Sequence, residues 1–125
     1  WVIDERPILY YLKYFEEARV EYLRAGGLDL NELMEEGIVF PIVEVSVKYL
    51  KSACYDDTLL IRTYLRRVDR VRLDFDYEVV RESTGELLTT GHTVNTYTHM
   101  KTGRIARLPK EKIEGLVKLS EGDRI

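Results

Sequence analysis

A chain of 125 residues, 45% apolar and 33% charged, suits a single domain over residues 1–125 with an ordinary packed core. Its net charge of -3 argues against a nucleic-acid binder. With one cysteine, Cys54, no disulfide forms within the chain, which points to a reducing, cytoplasmic setting. No apolar run approaches the ~18 residues of a membrane span, and no secretory leader is visible.

The first element is helical. Tyr11, Leu12, Phe15, Ala18, Tyr22 and Leu23 recur at helical spacing and give one apolar face, with Lys13, Glu17, Glu21 and Arg24 opposite. The helix is expected over Ile8 to Ala25, stopped by Gly26-Gly27. A short second helix follows, started by Asp29 with Glu32 at capping-box spacing and ended by Gly37.

The period then changes to two. Val43, Val45, Val47 and Tyr49 alternate with Glu44, Ser46 and Lys48 and predict a half-buried strand. After a Tyr55-Asp56-Asp57 turn, Leu59 to Arg67 forms the second strand. Val71 to Val79 forms the third, with Arg72, Asp74, Asp76 and Glu78 on its wet face. Ser83-Thr84-Gly85 turns into a fourth, Glu86 to Met100. A hairpin at Lys101-Thr102-Gly103-Arg104 leads to a short strand, Ile105 to Arg107, that closes the sheet. Pro109 opens a last helix, about Lys110 to Lys118. One helix ahead of a run of antiparallel strands is an α+β order, with the helix laid across a curved sheet.

The segment Tyr11-Leu12-Lys13-Tyr14-Phe15-Glu16-Glu17-Ala18-Arg19-Val20-Glu21-Tyr22-Leu23-Arg24 resembles the central helix of hotdog-fold acyl-CoA thioesterases of the 4-hydroxybenzoyl-CoA thioesterase-like group. Ala53-Cys54-Tyr55-Asp56-Asp57, Gly85-Glu86-Leu87-Leu88, Gly91-His92-Thr93, Gly103-Arg104 and Leu108-Pro109-Lys110-Glu111 follow in that family's order. The resemblance covers about Tyr10 to Ile113. It implies a long central helix wrapped by a curved antiparallel sheet, assembled as a homodimer or homotetramer. It also implies hydrolysis of an acyl-CoA or acyl-carrier-protein thioester, with no cofactor beyond the coenzyme A of the substrate.

The same resemblance implies a carbonyl held near the start of the long helix, where free N–H groups stabilise an oxyanion. A nearby carboxylate would act as base or nucleophile. The family's loop D-x-D-x-x-G before the helix is replaced here by Trp1-Val2-Ile3-Asp4-Glu5-Arg6-Pro7. Three readings stay open: residues lying outside this sequence, a shortened loop with Asp4 or Glu5 at work, or an inactive site. Asp4 is the first catalytic candidate and Glu16 the second. The plainer role of Glu16 is an i, i+3 pair with Arg19.

Lys101 and Arg104, with Arg107 and Lys110, are candidates for holding the coenzyme A phosphates, against the plainer reading of a solvated hairpin. Arg66-Arg67 and Arg70-Val71-Arg72 form a second basic group with the same two readings. His92 and His99 are placed on opposite faces of one strand, so they do not share a metal, and no Cys/His/Asp group has zinc spacing. Two competing functions are a non-catalytic hotdog module that binds acyl-CoA or serves as a structural partner, and a cystatin-like or NTF2-like pocket domain.

Overall fold

The computed structural model describes residues 8–51 and 57–122. Helix α1 runs Ile8–Ala25 as its spacing predicts. Tyr11, Phe15, Arg19 and Leu23, spaced by four, form its buried row. Its end is a Schellman stop. Leu28 N–H donates to Leu23 O at 2.9 Å and Gly27 N–H to Arg24 O at 3.0 Å, with Gly27 at φ 84°, a left-handed conformation that glycine adopts freely. Leu23 and Leu28 are both buried, which supplies the apolar contact that accompanies this motif. Helix α2, Leu30–Glu35, begins at Asp29, whose carboxylate accepts from Asn31 N–H at 2.9 Å.

Four strands follow in one antiparallel sheet: β2 (Ile42–Tyr49), β3 (Leu59–Val68), β4 (Arg72–Arg81) and β5 (Leu87–Thr96), in the order β2-β5-β4-β3. A separate two-stranded pair joins β1 (Ile38–Val39) to β6 (Thr98–His99). The curved sheet wraps α1, giving the hotdog arrangement expected from the sequence. Strand β4 alternates buried and half-buried residues, so Leu73, Phe75, Tyr77 and Val79 face the helix. Opposite them, Thr89, Gly91, Thr93 and Asn95 of β5 turn the same way and are buried. Gly91 lets the helix sit close: a Cβ there would lie 2.5 Å from the Phe15 ring.

Four expectations are corrected. Strand β2 is almost wholly exposed, with only Val47 partly covered, because β2 is a sheet edge that α1 touches at one end, where the Tyr11 ring meets Tyr49, and leaves open along the rest. Its alternation is real, but little of its apolar side is covered by the described residues. Residues Ile105 to Arg107 form no strand: Ile105 makes one bridge to Thr98, and β6 pairs with β1 instead. The long fourth strand breaks at Tyr97, whose N–H turns to Val71 O at 3.1 Å, so His92 and His99 stand on different strands. Last, helix α3 runs Lys110–Gly122, past the expected Lys118.

Helix α3 docks through two glycines. A Cβ at Gly115 would collide with the Gly26 carbonyl oxygen, a backbone atom that cannot swing aside. Gly115→Ala gains up to about 1 kcal/mol of helix propensity but forces overpacking that costs about 1–3 kcal/mol. The expected net result is a lower melting temperature by calorimetry. An unchanged or raised value would show that the two helices are not seated this closely.

Candidate active site

A cleft of about 470 Å³ runs beside α1 where β2 begins, lined by Leu12, Glu16, Arg19, Phe40, Ile42 and Asn95 among others. Its position follows from the fold. Helix α1 lies over β4 and β5, and the chain that connects α2 to β2 passes alongside it, leaving a groove open toward the sheet edge.

The groove has a polar floor. Arg19 is 5% exposed and makes no ion pair with a described residue. Its guanidinium donates to the Tyr77 hydroxyl at 3.2 Å. That hydroxyl in turn lies 2.8 Å from Thr93 Oγ1. Since the tyrosine oxygen accepts from Arg19, its own O–H is free to donate to Thr93. Burial pushes the Tyr77 hydroxyl above its ordinary pKa, against the lowering effects of Arg19 and Thr93, so it stays protonated at neutral pH. Two residues beyond Thr93 on the same strand face, Asn95 donates from Nδ2 to Phe40 O at 3.0 Å. A carbonyl can only accept, so this bond fixes the amide orientation, with Nδ2 toward Phe40 and Oδ1 on the other side of the amide. Oδ1 is buried with no partner among the described residues.

Glu16 is exposed at the cleft mouth and is not paired with Arg19, which turns inward instead. The ion pair that offered a plain reason for Glu16 is therefore absent, and the carboxylate is available. It lies eight residues beyond the start of α1, about 12 Å along the axis at 1.5 Å per residue. Within one chain it does not share a substrate carbonyl with the amides at the helix start. No acidic side chain occupies the first turn of α1, so the helix dipole there is not quenched from within. Asp4 lies outside the described residues, as does Cys54.

Lys101 and Arg104 are exposed on the hairpin after β6 and are absent from the cleft lining. Neither has a carboxylate partner among the described residues. The second basic group is consumed within the fold. Arg66 pairs with Asp76, Arg67 with Asp69 and Arg72 with Asp74, while Arg70 donates to Leu108 O at 2.6 Å. On the outer sheet face His92 Nδ1 lies 2.6 Å from Asp76 Oδ1, a cross-strand pair in register. Asp57 forms an ion pair with Arg81 at 2.9 Å, pinning the start of β3 to the end of β4. No group of three or more metal-ligating side chains occurs among the described residues.

Arg19, Tyr77 and Asn95 were not singled out by sequence reasoning as site residues. The available signal was the row Tyr11, Phe15, Arg19, Leu23, in which a cation takes a core position.

Residues 8–116 match the model of the thioesterase-like superfamily. A protein of Synechocystis sp., assigned provisionally as an esterase, is 32% identical over 112 residues, covering 89% of this chain and 68% of that protein. The acyl-CoA thioesterase YbgC of Haemophilus influenzae is 31% identical over 74 residues, 58% of this chain and 54% of that one. The crystal structure of the DHNA-CoA thioesterase of Staphylococcus aureus superposes with a TM-score of 0.80 at 28% identity, covering 92% of this chain and 80% of that chain.

Proposed function

This chain belongs to the thioesterase-like superfamily, and we infer that it hydrolyses the thioester of an acyl-CoA to a free acid and a thiol. The observation that carries the reading is the match of sequence and of helix-and-sheet fold to that family across nearly the whole described chain. The groove is more apolar than polar, with Lys13, Glu16, Arg19 and Asn95 as its polar residues, which suits an acyl group tethered to a polar carrier.

The carbonyl sits at the start of α1, where N–H groups that have no acceptor within the helix receive the developing oxyanion. A carboxylate from the segment preceding α1 takes a proton from water, and the resulting hydroxide attacks the carbonyl carbon. The tetrahedral intermediate then collapses with cleavage of the C–S bond, and the thiolate leaves and is protonated. Asp4, four residues before Ile8, is proposed as that carboxylate; Glu16 is the alternative if the carbonyl is held further along α1. Lys101 and Arg104 are proposed to meet the coenzyme A phosphates, supported by their exposure and lack of carboxylate partners. Carrier protein in place of coenzyme A remains a second form of the same substrate. No helix among the described residues is long and apolar enough to cross a membrane. A cytoplasmic location is proposed on the single cysteine. Release of thiol from acyl-CoA by the purified protein tests the reading. Tight acyl-CoA binding without release would favour the non-catalytic module.

A homodimer, itself able to pair into a tetramer, is proposed through the β2 edge. Among the described residues that edge is hydrogen-bonded on one side only, and it exposes Val43, Val45 and Tyr49 beside α1. An apolar, unprotected edge strand invites a second strand. Light scattering is expected to give at least twice the chain mass of 14.7 kDa. Val45→Lys, which places a charge at the seam, is expected to shift the protein toward monomer. A wild-type monomer at micromolar concentration would contradict the proposal.

A further inference from the structure

We propose that Ser46, His92 and Asp76 on the outer face of the sheet form a second hydrolytic site, separate from the α1 cleft, that cleaves short-chain carboxylic esters.

The three residues stand in one cross-strand row. Ser46 on β2 is the register partner of His92 on β5, and His92 is the register partner of Asp76 on β4. Side chains directly opposite in this way have Cβ atoms about 4.5–5.5 Å apart. All three line one basin of about 570 Å³ on the sheet, together with Lys48, Tyr64 and Thr90. Pairing through the β2 edge uses backbone groups and leaves this face outside the seam.

The link between base and carboxylate is made, with His92 Nδ1 2.6 Å from Asp76 Oδ1. A carboxylate only accepts, so Nδ1 carries the proton and the neutral ring keeps its lone pair on Nε2. The two nitrogens lie on different sides of the ring, and the strand on the side away from Asp76 is β2. Asp76 is held in turn by Arg66, whose Nε lies 3.1 Å from Oδ2. The Ser46 hydroxyl is exposed and has no partner among the described residues, so it is free to turn to Nε2. Hydrogen bonds of this kind often close only when substrate arrives.

Polar pairs on a wet sheet face usually do no more than join strands. This row differs in its order of nucleophile, base and orienting carboxylate, and in leaving the first two unengaged. Lys48 lies two residues from Ser46 on the same strand face and has no ion pair among the described residues, so its ammonium can meet an oxyanion. No Leu, Ile, Met or Phe lines the basin, which suits a short acyl group.

The reaction follows from these roles. Ser46 Oγ bonds to the ester carbonyl carbon while its proton passes to His92 Nε2. The bond from that carbon to the alcohol oxygen breaks, and the alcohol takes the proton from Nε2. Water then adds to the acyl-serine, giving a proton to Nε2. Cleavage of the bond to Oγ releases the acid, and Oγ recovers the proton.

The experiment follows p-nitrophenyl acetate and a fluorophosphonate probe with the full chain. Ser46→Ala and His92→Gln are each expected to lower ester kcat/KM by about a hundredfold, the lower end of what general acid–base catalysis contributes. The double variant should lose no more than either single, since the two residues act as a unit. Peptide mapping should place the phosphonate on Ser46 and lose it in His92→Gln. Asp76→Asn should lower kcat at unchanged KM, with part of the loss restored in Asp76→Glu. Acyl-CoA turnover should be the same in Ser46→Ala as in the wild type. Ester hydrolysis that survives Ser46→Ala, additive losses in the double variant, or no adduct on Ser46 would overturn the site. A matching fall in acyl-CoA turnover would overturn its separateness from the α1 cleft.

Discussion

Asp4→Asn is expected to lower kcat on a good acyl-CoA by about 10²–10⁴, the usual contribution of a positioned general base. The substitution keeps shape and removes only the basic oxygen, so the melting temperature should hold. Glu16→Gln is the comparison that gives the result meaning. Glu16 stands about 12 Å along α1 from the helix start, too far within one chain to activate water at a carbonyl held there. Its loss is expected to change kcat less than tenfold. If the order is reversed, the carbonyl lies against Arg19 and the guanidinium, not the helix amides, receives the oxyanion. Steady-state kinetics of the two variants side by side separate these arrangements.

Phe15→Ala is expected to cost about 3–5 kcal/mol of folding stability, read as a lower urea midpoint at unchanged slope. Phe15 is fully buried, stacks on Tyr77 with ring centroids 4.3 Å apart and covers Gly91. Domains of this size have about 5–15 kcal/mol in total, so the loss is a large share. The same contact predicts non-additivity. Gly91→Ala alone drives a methyl into the Phe15 ring, whereas Gly91→Ala with Phe15→Leu should cost less than the sum of the singles. Additive effects would mean that helix and sheet are not in contact here.

The helix that builds the site was legible because its signals are local. Spacing by three and four fixed its face, and Gly26-Gly27 fixed its end, so Ile8–Ala25 matches the expectation at both bounds. The strands β3 and β4 were legible for the same reason. Burial of β2 was not, because alternation reports which side is apolar and not what covers it. The pairing of β1 with β6 was hidden by sequence distance, since residues Ile38 and His99 are brought together only by the sheet.

At the site, sequence proximity pointed the wrong way. Glu16 and Arg19 stand at ion-pair spacing, but Arg19 lies on the buried row and Tyr77 draws it inward. Its position in step with Tyr11, Phe15 and Leu23 was the better guide. Asn95 carried no local signal, because its orphaned oxygen follows from the bond its amide makes to Phe40, 55 residues away. The family likeness supplied the activity, and the geometry supplied the groove in which it would occur.

The most direct test is release of free coenzyme A, followed with a thiol reagent, from short-chain, medium-chain and aromatic acyl-CoAs incubated with the folded protein. The account predicts turnover of at least one of them with equimolar appearance of the free acid. No thiol from any of them, by protein that is folded and oligomeric, would contradict it.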